Sequence, residues 1–158
     1  MKFGIETLMI ESHFKKLKVS FGTFGMTYGW GNGYVLLPTN HPYHGVDYDD
    51  IPIQIHGGLT FGEKFNSDGF LEWVGDMEIF GSVDFNNCDK FNGYWIIGFD
   101  TNHHSDNLEN CSLDFVSNEV VRLLEQCLSD DIVGIDKYKT TYLRKDKLKK
   151  IDKNINHM

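Results

Sequence analysis

Gly93-Tyr94-Trp95-Ile96-Ile97-Gly98-Phe99 carries no charged side chain and is flanked by Asn92 on one side and by Asp100-Thr101-Asn102 on the other. Aromatic and β-branched residues suit a pleated, packed surface, and Asn, Gly and Asp at both ends supply turn chemistry, so the stretch predicts a β-strand. It shows no polar alternation. A strand that is apolar on both faces belongs inside a sheet, which predicts a central position and puts Asp100 where the chain leaves the sheet.

Downstream the period changes. Leu113, Val116, Val120, Leu124 and Cys127 recur at three- and four-residue steps while Asn118, Glu119, Arg122 and Glu125 occupy the other faces, which predicts an amphipathic helix over Asp114–Ser129 with Asp114 or Ser117 as its cap. Upstream, Tyr34–Leu37 reads as a short strand stopped by Pro38. Ile51, Ile53 and Ile55 alternate with Pro52 and Gln54, the period of a strand, with Pro52 suited to an edge or an entry position. After the Gly57-Gly58 interruption, Leu59–Gly62 is expected to resume pairing. Residues Glu63–Asn92 read as one or two short strands or an insertion packed by its aromatics. Gly22–Gly33 intersperses five glycines with Phe24, Met26, Tyr28 and Trp30, a pattern of bulged strands. The first twenty residues fit a short helix or a strand, and a thin apolar side over Lys139–Ile151 allows a second, basic helix. With no alternating strand and helix units to build crossovers, the chain predicts an α+β fold: a curved, mostly antiparallel sheet of four to six strands with one main helix packed on it.

At 158 residues, with 41% apolar and 14% aromatic side chains, the chain can bury a core without staples. The expected organisation is one α+β domain over residues 1–136 and a basic helix or tail over 137–158. No run approaches the roughly 20 apolar residues of a membrane span. Glu6 and Glu11 flank the only apolar stretch near the start, which is not the pattern of an export signal. Cys88, Cys111 and Cys127 are odd in number and lack a C-x-x-C pair, so neither a disulfide framework nor a thiolate zinc site is expected, and the cytoplasm is the expected compartment.

Charge is uneven. Residues 137–158 hold eight of the fifteen basic side chains against Asp146 and Asp152, a balance of +6, leaving residues 1–136 at −14. An acidic body with Arg122 as its single arginine does not suit a polyanion, so nucleic-acid binding by the main domain is not expected. The tail either offers a contact for RNA or an acidic partner or lies solvated beside the acidic body.

Five of the seven histidines fall between positions 41 and 104: His41, His44, His56, His103 and His104. Imidazole titrates near neutrality and ligates metals, so this cluster is the most informative polar feature of the chain. His56 closes the Ile51–Ile55 stretch and precedes Gly57-Gly58, whose consecutive backbone N–H groups are able to form an anion nest. Asp100 and His103 follow the predicted central strand, and a three-residue turn brings a carboxylate beside an imidazole, orienting it and raising its basicity. If the two strand ends meet, His56, Asp100 and His103 form a catalytic or metal-binding group. The alternative is that His56 packs at a strand end and Asp100 caps a turn.

The segment His56-Gly57-Gly58-Leu59-Thr60-Phe61, followed by the Trp95 strand ending Gly98-Phe99-Asp100 and then by His103 and Asp106, resembles an uncharacterised family of small proteins from phages, prophages and bacteria. Gly33-Tyr34-Val35, Pro38, His41-Pro42 and His44-Gly45 resemble the same family's opening pattern, so the likeness spans residues 33–128. It implies that His41, His56, Asp100, His103 and Asp106 are the positions to examine first. The chain departs from the family in carrying His104-Ser105 where members tend to have Ala and Gly, and in a longer insertion between Gly62 and Gly93.

Three functions fit these features. One is a small-molecule binder, with a nucleotide-like ligand held by His41, His44, Gly57, Gly58, Thr60, Trp95 and Asp106; a phage origin would associate such a protein with counter-defence. Another is a hydrolase using His56, Asp100 and His103, either with a divalent transition metal such as zinc or as metal-free acid–base groups. The third is a protein-interaction module whose histidines only fold loops. No cysteine has a neighbour in sequence that would activate its thiol.

Overall fold

Ile96, Ile97 and their neighbours become one strand of a five-stranded antiparallel sheet in the computed structural model, which describes residues 4–12 and 28–129. In chain order the elements are β1 (Glu6–Glu11), β2 (Gly31–Leu37), β3 (Phe61–Lys64), α1 (Ser67–Val74), β4 (Ile79–Gly81), β5 (Trp95–Phe99) and α2 (Leu113–Leu128), with 3₁₀ turns at Tyr48–Asp50 and Phe85–Phe91. The strands lie in the order β3-β5-β2-β1-β4. The architecture is α+β, as the pattern of elements predicts.

Pairing explains the sequence of β5. Gly33 faces Phe99 and Leu37 faces Trp95 on one side, and Phe61 faces Gly98 and Lys64 faces Trp95 on the other. Trp95, Ile97 and Phe99 join Val35, Leu37 and α2 in one layer of core, while Ile96 joins Leu8, Ile10, Tyr34 and Leu36 in the other. Gly98 has no side chain because the Tyr34 ring lies where its Cβ would be. The strand is interior, with β3 and β5 on one side of the middle strand, which is β2 and not β5.

α2 runs Leu113–Leu128 and is capped by Ser112, whose side chain accepts the Phe115 N–H. The cap therefore lies ahead of Asp114 and Ser117, because the helix starts a residue earlier than its apolar period suggests. Val116, Val120, Leu123 and Cys127 are buried against the sheet, and so is Glu119. The described part of the ambiguous N-terminal stretch is a strand: β1 sits between β2 and β4, burying Leu8 and Ile10. The segment between β3 and β5 holds α1, β4 and a 3₁₀ turn, whose Phe70, Val74, Phe91 and Cys88 cover the second face of the sheet.

Ile51, Ile53 and Ile55 do not form a strand. All three are buried in the core layer under α2, which accounts for the alternation, but the neighbouring backbone of Gln54 and His56 pairs with helix side chains and that of the isoleucines bonds within the segment's own turns. The Gln54 N–H donates to Gln126 Oε1 at 2.9 Å, the Gln126 side-chain amide donates back to the Gln54 carbonyl at 2.9 Å, and the His56 N–H donates to Glu119 Oε2 at 2.9 Å. Alternation reports one-sided burial, and an extended segment docked on a helix satisfies it as well as a strand does. The basic segment 137–158, and with it the helix expected over Lys139–Ile151, lies outside the described residues, as does the first half of Gly22–Gly33, whose end, Gly31–Gly33, begins β2. None of the described helices is long and apolar enough to cross a membrane.

Candidate functional site

The chain leaving β5 folds back on itself at once. Asp100 accepts the Asn102 N–H at 3.1 Å, and buried Thr101 donates its hydroxyl to the Gly31 carbonyl at 2.7 Å. A turn from His103 to Asp106 closes through the Asp106 N–H and the His103 carbonyl at 2.9 Å. Asp106 accepts the His103 N–H at 3.0 Å and lies 2.7 Å from His103 Nδ1. His56 reaches the same carboxylate from the other side, with Nε2 at 2.9 and 3.0 Å from its two oxygens. Residues separated by half a hundred positions thus meet on one buried carboxylate.

Protonation follows from this geometry. Without a metal, a carboxylate with three donors around it is an acceptor only, so His56 carries its proton on Nε2 and His103 carries one on Nδ1; a metal bound through these nitrogens would displace those protons. Burial by itself raises the carboxyl pKa of Asp106, but the hydrogen bonds from His56 and His103 outweigh it and hold the group below its ordinary value. The Asp106 side chain is 3% exposed, against 26% for His56 and 35% for His103. The carboxylate is the floor of the site and the imidazoles are its open side.

Neighbouring groups fix the two rings. The ring of His56 meets that of His103 edge to face at 5.2 Å and that of Phe115, in the first turn of α2, at 5.1 Å. Gly57 adopts φ 68°, and a Cβ there would run into the His103 imidazole, so glycine serves both the turn and the approach. Cys111 Sγ lies 3.8 Å from His56 Nε2. Burial, followed by the Asp106 charge, pushes its thiol up to about 11, so it is a protonated, unreactive neighbour near neutrality.

His56, His103 and Asp106 offer one ligand atom each within 4.8 Å of one another and could hold a metal ion. Asp100 stands just outside the group, with Oδ1 3.5 Å from His103 Nε2 and its side chain 30% exposed. His56, Asp100 and His103 are therefore neighbours, but the carboxylate shared by both histidines is that of Asp106.

The remaining residues singled out from the sequence lie elsewhere or are engaged. His41 is fully buried, accepting the Tyr43 N–H on Nδ1 at 3.0 Å and donating from Nε2 to the Cys127 carbonyl at 2.7 Å, which ties the Pro38 turn to the end of α2. His44 Nε2 bonds the Gly93 carbonyl at 2.8 Å and its ring packs on Trp95. Trp95 is core, donating its indole N–H to the Val46 carbonyl at 3.1 Å. The Gly58 N–H bonds the Ile55 carbonyl at 2.9 Å and the Thr60 N–H bonds the Gly98 carbonyl at 3.0 Å. With the Gly58 amide taken, the Gly57-Gly58 pair is a turn and not a nest for an anion. His104 is exposed on the Asp100–Asp106 loop.

Glu119 is the residue that sequence reading assigned to an outer face and the structure buries at 5% exposure. It accepts the His56 N–H with one oxygen and Arg122 Nη1 with the other at 2.6 Å. Its step of three from Val116 already places it within the apolar stripe, which is the signal that marks it. No family model, curated protein or solved structure matches the chain.

Proposed function

We propose that the protein binds a divalent transition-metal ion, zinc or a close relative, through His56, His103 and Asp106, and acts with it on a small molecule at the end of β5. The supporting observation is the convergence of two imidazoles and one buried carboxylate from distant parts of the chain, with the imidazoles facing outward. Two histidines and a carboxylate are a ligand set that zinc and other transition metals accept while keeping positions open for water or ligand. Bound metal would polarise a substrate oxygen or acidify a water molecule, which makes hydrolysis the reaction class favoured here.

The chain's own residues divide the remaining work. Asp106 is oriented by the His103 N–H, and His56 is held at its backbone by Glu119. Phe115 covers one side of the His56 ring. Asp100, beside the outer nitrogen of His103, is placed to take a proton from, or accept a hydrogen bond of, whatever enters.

A metal-free reading rests on the 2.7 Å contact between His103 Nδ1 and Asp106. That contact leaves Nε2 as a general base oriented by a buried carboxylate. Metal analysis separates the two. Protein purified without chelator should carry close to one transition-metal ion per chain, and His56→Gln or His103→Gln should lose it while keeping the wild-type circular dichroism. Trace metal only, together with no uptake on dialysis against zinc, overturns the metal site and leaves the His103–Asp106 pair.

A further inference from the structure

A second concave site lies on the face of the sheet that α2 does not cover. It encloses about 320 Å³ between β2, β3, β5 and α1, with the rings of Tyr34, Phe61, Phe70 and Trp73 as lining and Glu63 at the rim. That volume falls at the low end of the roughly 300–1,000 Å³ typical of ligand pockets. Tyr34 meets Phe61 at 5.6 Å and 81°, and Trp73 at 6.3 Å and 86°. Tyr34 thus stands nearly perpendicular to Phe61 and to Trp73, while Phe70 is tilted 47° to Trp73; Tyr34 and Phe70 are the buried floor and Trp73 the open wall. Trp73 remains 45% exposed on α1.

The polar groups of the lining narrow the occupant. Asn66 is used, since its side chain accepts the Gly69 N–H at the start of α1. Glu63 is the charged group, exposed on β3, and it forms no ion pair among the described residues. Among the described residues no lysine or arginine lines the pocket. Asn32, whose buried Oδ1 has no hydrogen-bond partner, is not part of the lining. Aromatic faces carry negative potential, so rings plus a carboxylate repel phosphate and carboxylate ligands and attract a cation with an apolar surface.

We infer that this pocket binds an organic ammonium group, quaternary or alkylated, in an aromatic cage closed electrostatically by Glu63. This goes beyond the metal centre, which uses none of these residues. Its ligand class differs from the nucleotide-like ligand expected at the histidine-rich loops, because this pocket would disfavour phosphates.

The intrinsic fluorescence of Trp73 reads the test directly, since Trp30 and Trp95 are buried. Full-length protein is titrated with choline and with its neutral isostere 3,3-dimethylbutan-1-ol. Choline should bind saturably and about ten-fold or more tightly than the alcohol. Glu63→Gln should remove most of that preference, and Trp73→Leu, in which calorimetry replaces fluorescence as the readout, most of the binding, both with unchanged melting temperatures. His56→Gln should leave choline binding at the wild-type level, so failure of the metal centre and failure of the cage are read separately. A trimethyl-lysine peptide in parallel distinguishes a protein side chain from a free metabolite as the source, and saturable binding of either supports the cage. Equal affinity for choline and the alcohol, no saturable binding of choline or peptide, or full affinity in Glu63→Gln overturns it.

Discussion

Ile51–Ile55 and Trp95–Phe99 both read as strands, and the difference between them lies in what satisfies the backbone. β5 is paired along both edges, so its carbonyls and N–H groups are held by two other strands. The Ile51–Ile55 segment also buries its isoleucines, but no strand pairs with it: Gln54 and the following His56 draw partners from Gln126 and Glu119 on α2, and Ile51 and Ile53 bond locally. A ladder spreads its support over many backbone groups and survives loss of any one side chain. A segment tethered by side chains can be released by one substitution. His56 rides on the tethered segment and Asp100 leaves the laddered one, so the two sides of the candidate site are held with different security.

The largest expected effect is on the laddered side. Ile97 is fully buried at the middle of β5, and Ile97→Ala leaves a cavity between the sheet and α2, with a cost of about 2–5 kcal/mol. Urea denaturation measures it. Ile53→Ala, at the protein surface end of the same core layer with 9% exposure, should cost less. An Ile53→Ala loss equal to or greater than that of Ile97→Ala would show that the tethered segment is as integral to the core as the ladder.

Next comes the tether itself. Glu119→Ala leaves the His56 N–H without its acceptor and Arg122 without its ion-pair partner, though still near the Gln54 carbonyl, a change worth about 1–3 kcal/mol. Hydrogen exchange gives the sharper reading: the His56 amide should lose protection while the Ile97 amide keeps it. Glu119→Gln retains an acceptor oxygen and should restore most of the His56 protection. If both amides lose protection together in Glu119→Ala, the segment and the sheet open as one unit and the comparison fails.

The same contrast explains what could be read from sequence. β5, Tyr34–Leu37 and the helix were legible because their apolar patterns answer to burial, which is what pattern reports. The backbone partners of Ile51–Ile55 were not, since burial on one side is compatible with a ladder or with a helix surface. Leu8-Met9-Ile10 is too short an apolar run to separate helix from strand, and only pairing with β2 and β4 decides it. Of the site, His56 and His103 stood out as histidines beside turns. Asp106 entered through a family resemblance alone, because its role depends on a loop that folds back through its own hydrogen bonds. His41 and His44 have the same composition signal as His56, yet they pin turns to backbone carbonyls.

A pH titration tests the carboxylate at the meeting point. Asp106 is held below its ordinary value of 3.8 in the folded chain, so it binds its proton less readily folded than unfolded. Its contribution to stability is therefore complete above the ordinary value and is lost as pH falls through the folded one. In protein stripped of metal, stability should drop on acidification below about pH 4. Asp106→Asn should start less stable at neutral pH and show a shallower acid loss. Identical acid profiles for the two proteins would mean that the carboxylate is not held by His56 and His103 in solution.

The smallest effect expected is at Gln126. Its side chain supplies a donor and an acceptor to Gln54, one bond in each direction and both at 2.9 Å, in the manner of a paired strand residue. Gln54 is exposed and Gln126 half-buried, so water replaces the partners lost by Gln54 in Gln126→Ala, and the cost should be about 0.5–1.5 kcal/mol, at the low end of that range. The two tethers differ in burial, and that difference sets the order: Glu119 leaves a part-buried N–H without an acceptor, whereas Gln126 leaves groups that solvent can reach. Exchange at the Gln54 amide should quicken in Gln126→Ala while the His56 amide, still held by Glu119, is unchanged. If the His56 amide quickens as well, the segment releases as a single strap and Glu119 alone does not fix the histidine.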